Sequence, residues 1–439
     1  MPVAETPRSP WPTMLLLCAL FAISFVDRMV LALVIDPIRS EMNASDIQMS
    51  LLFGMGFVIV YIMAGLPLAH IVDQGGRQRI LTGGVLLWSL ATFMSGFAPN
   101  FWVLAVLRAG VAIGEAVLMP IAMSIIFDLF PKERRTFPVT IYTMTGVVMG
   151  AGSFIVGAGA LALAEQIVTF TGGTPWRVMF MIVAVPGPII IAMLRLFGHD
   201  PAHRQDEGEP EHPADTGAFF AHFVSHRAIY LAAFIGTGFV FTIGMGLGAW
   251  SATMLIREHG IPATQAGMYY GVCSMIGGVL GTQMAGALVR RLGRDGGEKG
   301  VFRTALITTG LTIPVLAAGI GSSDFTIVLI STGIGAIGVL SAVTFVPILL
   351  QQMTPRAMLG RTTAVYLLFN NIMGMGVGPL LVSVLASHFA DQPRSIGLSL
   401  TIVAWTGFAI AMTCFAFALR VVTRLGRQQP SLARGAGAD

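Results

Sequence analysis

The sequence predicts an all-α membrane protein. Twelve transmembrane helices form two pseudo-symmetric six-helix halves, with both termini in the cytoplasm. Three observations carry that reading. Of 439 residues, 55% are apolar and only 11% charged, with a mean hydropathy of +0.78. A soluble domain carries about 25% charged residues, so this chain has too little polar surface to cover a water-soluble fold. Twelve apolar runs approach or exceed the roughly 20 residues a helix needs to cross the hydrocarbon layer, and the two sets of six are related in sequence.

Taken in order, the first run is Met14–Ile35. It is too long for a signal-peptide core and lacks a small-residue cleavage site, so it reads as a retained span. Ser50–Ile71 and Ile80–Ala98 follow across short polar turns. Phe101–Leu129 carries Arg108 and Glu115 in its interior, and Val139–Leu163 carries Gly146, Gly150 and Gly152. Val178–Phe197 is opened by Trp176-Arg177, which reads as an interfacial anchor. A polar stretch at 198–228 then holds five of the eight histidines (His199, His203, His212, His222, His226) and six acids. Its irregular, Pro/Gly-rich spacing reads as a solvated cytoplasmic linker rather than a metal tract. The second half runs through Ile229–Ile256, Ala266–Val289, Phe302–Ile320, Phe325–Leu350, Thr362–Ser387 and Ile396–Ala418. The expected domains are therefore 1–197, the linker 198–228, 229–421, and a polar tail 422–439.

Charge sets the orientation. Of the 26 Lys and Arg, 20 fall on the side of the termini and four (Arg39, Arg177, Arg257, Arg394) on the other; two (Arg28, Arg108) lie inside spans. The repeat appears when the chain is slid by 217 residues: Glu41, Gln48, Gly54, Gly76 and Arg77 meet Glu258, Gln265, Gly271, Gly293 and Arg294. Beyond a longer loop the offset becomes 224, and Pro131, Tyr142, Gly150 and Gly152 meet Pro355, Tyr366, Gly374 and Gly376. A parallel six-helix repeat is the architecture of a rocking transporter with its site between the halves.

Several function classes are excluded. No basic stripe with interleaved aromatics suggests nucleic acid. No Ser-His-Asp arrangement, P-loop or HExxH motif supports hydrolysis or ATP-driven transport, so the chain is read as a non-enzyme without cofactor or metal. Cys18, Cys273 and Cys414 are scattered through apolar runs and form neither a disulfide framework nor a metal spacing.

With these features the chain resembles the major facilitator superfamily over nearly its whole length. That family carries Gly-x3-Asp-Arg-x-Gly-Arg after the second span. Here the segment reads Ala69-His-Ile-Val-Asp73-Gln74-Gly-Gly76-Arg77, departing at Ala69 and Gln74. Phe25-Val26-Asp27-Arg28, Arg108-x5-Gly114-Glu115-Ala116, Pro355-x5-Arg361 and Tyr366…Asn370-Asn371…Gly378-Pro379 further resemble the spinster family of lipid transporters. The resemblance implies that Asp73 caps the eleventh helix and that Arg77 pairs with Asp128. Together they would form a cytoplasmic gate favouring the outward-facing state. Slid by 217, Asp73 meets Arg290, so the second copy of the gate is weaker. Positive-inside anchoring accounts for Arg77, Arg79, Arg290 and Arg291 almost equally well.

Asp27, Arg28, Arg108 and Glu115 lie deep in spans, where an isolated charge costs roughly 2.5–3.5 kcal/mol. Arg108 and Glu115 are two helical turns apart on one face, too far to pair directly. Cross-pairing with Asp27-Arg28 would neutralise all four. One reading is a static cluster that fixes helix packing. The other makes Asp27 and Glu115 proton carriers beside a substrate cavity, with Arg28 and Arg108 holding a head group. The second half has no formal charge deep in a span, and its polar candidates are Gln283, Tyr366, Asn370 and Asn371. One charged wall and one mostly apolar wall suit an amphiphile. The expectation is a monomeric, proton-coupled transporter of a lipid-like, anionic-headed substrate in a bacterial-type inner membrane. An organic-anion:proton symporter, a multidrug exporter and a non-transporting sensor stay open.

Overall fold

The computed structural model describes residues 9–73, 76–198, 216–293 and 297–435. The helices that can cross a membrane are α1 (Trp11–Leu33), α2 (Asp46–Gly65), α4 (Phe101–Leu129), α5 (Thr136–Thr171), α6 (Pro175–Phe197), α7 (Arg227–His259), α8 (Ala263–Gly293), α9 (Glu298–Gly319), α10 (Phe325–Met353), α11 (Arg356–His388) and α12 (Ser395–Arg424). These are eleven by length and apolarity among the described residues. The remaining span of the expected twelve is α3 (Arg77–Ser95), which opens on Arg77-Gln78-Arg79 and buries Ser89, Thr92 and Ser95. Its polar residues face protein, not lipid, so its mean hydropathy understates its fit to the membrane.

Several helices overrun the apolar runs, α5 most of all, because backbone hydrogen bonding continues past the hydrocarbon edge. Side-chain caps start others. Ser45 and Gln48 form a reciprocal capping box at α2, with Gln48 N–H donating to Ser45 Oγ at 3.2 Å and Ser45 N–H to Gln48 Oε1 at 2.8 Å. Asn100 caps α4 and Asp324 caps α10.

The chain forms two compact units: Met1–Glu207 with Leu255–Val272, and Gly208–Met254 with Cys273–Asp439. In the first, α1 packs along α5 and α6, and α4 lies against α2 and α3. Gly84 of α3 and Gly114 of α4 let backbones meet: a Cβ on Gly114 would fall 2.5 Å from the Gly84 carbonyl oxygen. The small residues around Glu115 therefore serve a close helix partner at Gly114. The Gly146/Gly150 face of α5 behaves differently. Phe21 and Phe25 fill the space at Gly146, while nothing lies within 4 Å of a Cβ at Gly150.

The first unit also contains the tip of the α7–α8 hairpin. Arg257 reaches Asp36 and Asp46 at 2.8 Å each, and the Tyr270 ring sits edge-on to Phe154 at 4.7 Å. In the second unit α9 packs on α10 and α12, and α11 on α12. Pro379 in α11 has no N–H to donate, and the helix widens into a π turn over Ile372–Val377. From α7, Thr242 donates to the Met373 carbonyl at 2.9 Å and Trp250 to the Pro379 carbonyl at 3.1 Å.

Candidate functional site

Adjacent residues on a helix point about 100° apart, so Asp27 and Arg28 of α1 serve different partners. Arg108 of α4 donates from Nη1 to Asp27 Oδ1 at 3.0 Å and from Nη2 to the Asp27 carbonyl oxygen at 3.2 Å. Thr92 of α3 donates its hydroxyl to Asp27 Oδ2. Both carboxylate oxygens of Asp27 are therefore engaged, and all three side chains are buried. Two turns along α4, Glu115 accepts from Arg28 Nη2 at 2.6 Å through Oε2, while its buried Oε1 has no hydrogen-bond partner.

The two pairs differ in surroundings. Arg28 keeps 17% of its side chain exposed. Aromatic faces surround its guanidinium: Phe57 at 5.0 Å, Tyr61 at 5.5 Å and Phe25 at 5.8 Å to the ring centroids. Among the described residues, Arg108 faces one such ring, Phe57, at 6.0 Å. Such rings attract a cation by their quadrupole, so Arg28 can be held when its carboxylate partner is neutralised. Chemically, the first unit offers a closed pair with both carboxylate oxygens engaged, beside a pair whose carboxylate keeps one oxygen unpartnered and whose arginine is partly exposed.

Phe57, Tyr61 and Thr92 carry no functional mark in the sequence. Aromatics in a span pass for filler, and the only hint at Thr92 is the Ser89/Thr92/Ser95 spacing in the least apolar span. Trp176, read as an interfacial anchor, is instead buried. Its Nε1 donates to Glu41 Oε2 at 2.7 Å, beside Arg177 Nη2 at 2.7 Å from Glu41 Oε1. The indole goes to the protein because the second oxygen of the Glu41 carboxylate, whose first is held by Arg177, accepts its N–H there.

In the second unit Tyr366 and Asn370 are buried on α11, and Asn371 is half-buried at the start of the π turn. Asn370 Nδ2 donates to the Tyr366 carbonyl at 3.1 Å, and its buried Oδ1 has no hydrogen-bond partner. Gln283 of α8 is exposed. Of the expected gate, Arg77 pairs with Asp128 and donates to Ser124 Oγ at 3.1 Å, joining the start of α3 to the end of α4 inside one unit. The side chain of Asp73 lies outside the described residues. Cys18, Cys273 and Cys414 are free thiols.

Comparison with known proteins agrees with the fold. Over 411 residues the chain is 24% identical to an MFS-type efflux pump of Mycolicibacterium smegmatis, covering 93% of this chain and 92% of the relative. It is 27% identical over 294 residues to the protein spinster of Drosophila melanogaster, covering 65% of this chain and 46% of that one. Identity is 22% over 458 residues to a probable galactarate/D-glucarate transporter of Escherichia coli, covering 95% and 96%. Among solved structures, the crystal structure of a bacterial homolog to the human lysosomal transporter spinster, inward-facing and unoccupied, superposes with a TM-score of 0.80 at 24% identity. That match covers 95% of this chain and 98% of that one. The family model of the Major Facilitator Superfamily matches residues 16–379. The chain is a multi-pass membrane protein that belongs to the major facilitator superfamily, whose members transport small molecules rather than act as enzymes.

Proposed function

We propose that the protein is a proton-coupled secondary transporter of an amphipathic, anionic-headed substrate, working by alternating access in a bacterial-type inner membrane as a monomer. The observation that carries this reading is the pair of interlocked acid–arginine contacts buried in the first unit. A static scaffold would engage every carboxylate oxygen of both pairs, as it does at Asp27. Here Glu115 keeps one oxygen unpartnered, and its partner Arg28 is the one arginine of the four-charge cluster with access to solvent. A proton taken by Glu115 would release Arg28 to an anion. The apolar spans of the second half suit the tail of such a substrate, with Tyr366, Asn370 and Asn371 as its polar contacts. The similarity to spinster favours a lipid-like cargo.

A second reading, an organic-anion:proton symporter, is favoured by the near full-length similarity to the galactarate/D-glucarate transporter. Reconstitution in liposomes decides between them, with a lysophospholipid, D-glucarate and a cationic dye as probes. Under the leading reading a pH gradient drives lysophospholipid accumulation. Asp27→Asn and Glu115→Gln each abolish that accumulation yet leave counterflow. Gradient-driven uptake unchanged in both variants would end the proton-relay reading. Accumulation of glucarate alone would select the symporter, and dye movement alone a drug exporter. The gate reading of Asp73, Arg77 and Asp128 is tested separately: Asp73→Asn should shift the population toward the inward-facing state.

A further inference from the structure

A short helix, Thr216–Ser225, enters the second unit just before α7. Its Phe223 ring lies flat on Tyr230 of α7, with centroids 5.2 Å apart and planes 4° from parallel. His222 Nε2 lies 3.1 Å from the Tyr230 hydroxyl, which lies 2.8 Å from Thr354 Oγ1 at the end of α10. Tyr230 and Thr354 are both buried. One imidazole and one phenol thus tie three elements together. The His226 ring lies 4.5 Å from that of His222, with its Nδ1 2.9 Å from Ser225 Oγ. Inward, Tyr230 contacts Phe234 at 6.1 Å, and Phe234 contacts Tyr366 at 5.3 Å.

We propose that the helix Thr216–Ser225 is an acid-released latch: neutral His222 docks it on α7 and α10 through Tyr230, and protonation of that imidazole frees it. The inference stands independently of the transported substrate and of proton coupling in the first unit.

Two neutral imidazoles can sit 4.5 Å apart without penalty, whereas two imidazolium ions repel at that spacing. The charged groups facing the cluster are few. Glu298, in the first turn of α9, acts on both His226 and Tyr230, and Lys299 beside it offsets part of its charge. Burial, followed by His226, holds the His222 imidazole below its ordinary value of 6.5, against a hydrogen bond with the Met353 backbone that pulls it up. The sign follows from linkage. A group depressed by docking favours the docked state above its free value, so docking is complete above 6.5 and weakens as pH falls below it. Release would untie the end of α10 from the start of α7. The Tyr230–Phe234–Tyr366 ladder would carry that loosening to a candidate substrate residue.

The test is hydrogen–deuterium exchange of the full-length protein in nanodiscs at about pH 8 and about pH 5.5, with labelling times scaled for intrinsic exchange. Peptides covering 216–230 should be protected at the higher pH and lose that protection at the lower. His222→Gln keeps a polar atom for Tyr230 but takes no proton, so its helix should stay protected at both. Equal protection of the wild type at both values overturns the latch, as does an acid response surviving undiminished in His222→Gln. If glutamine fails to dock at either pH, His226→Gln decides: the acid response must shrink there, and an undiminished one overturns the proposal.

Discussion

Arg108 is held by Asp27 on both its carboxylate and its backbone carbonyl, and no solvent reaches it. Deleting one partner of a buried ion pair costs about 3–5 kcal/mol, because the other charge stays behind. Arg108→Ala leaves the Asp27 carboxylate with Thr92 alone in a fully buried site, whereas Arg28→Ala removes a side chain that is itself 17% exposed and leaves Glu115 beside the space it vacates. Arg108→Ala should therefore lower the melting temperature well below that of Arg28→Ala, measured by thermal shift in detergent. Equal losses would mean that the two pairs share one environment. Asp27, Arg28, Arg108 and Glu115 stand out in the sequence because formal charge in an apolar run demands a partner. The choice of partners does not stand out, since it depends on how α1 and α4 rotate against each other. Thr92 was illegible for the same reason: a threonine in a span is silent until a carboxylate is placed beside it.

At the scale of elements, two ion-pair clusters bind segments that the apolar pattern leaves unconnected. Burial alone would push the Glu41 carboxyl up, but hydrogen bonds from Arg177 and Trp176 outweigh it and hold the group below its ordinary value of 4.5. A depressed carboxyl contributes stability above that value and loses it as pH falls through and below it. Melting temperatures of wild type and Glu41→Gln should therefore differ near neutrality and converge in acid. A gap that widens in acid would contradict the assignment. Arg257 holds the α7–α8 tip through Asp36 and Asp46, and partly exposed pairs of this kind are worth about 0.2–1 kcal/mol each. Arg257→Gln should accordingly speed thiol labelling of a cysteine placed at the buried Ala266 by a few-fold, without loss of folding. Neither cluster was legible as a contact. Arg39, Arg177 and Arg257 read only as the minority charges of one membrane side, because pairing across distant loops leaves no periodic trace in the chain.

For the whole molecule, the apolar runs and the two repeat registers made the twelve-helix plan legible. Each run had to meet the same hydrocarbon thickness, which is a strong and local constraint. Orientation rests on the 20-to-4 distribution of Lys and Arg, and thiol labelling of intact cells checks it. A cysteine at Pro262 should react with an impermeant reagent from outside, and one at Phe220 should not. The reverse pattern would invert the topology. The pattern was weakest at α3, and that weakness has a consequence for how the protein is made. A segment opening on two arginines and burying Ser89, Thr92 and Ser95 gains little from lipid by itself when it leaves the ribosome. Ser95 bonds within the helix to the Ala91 carbonyl, but Thr92 finds Asp27 and the Gly84 backbone packs on Gly114 only once α1 and α4 flank it. On that account α3 should insert poorly as an isolated segment and well when α4 follows it, so that the buried Asp27 carboxylate contributes to the placing of a neighbouring helix as well as to its own ion pair.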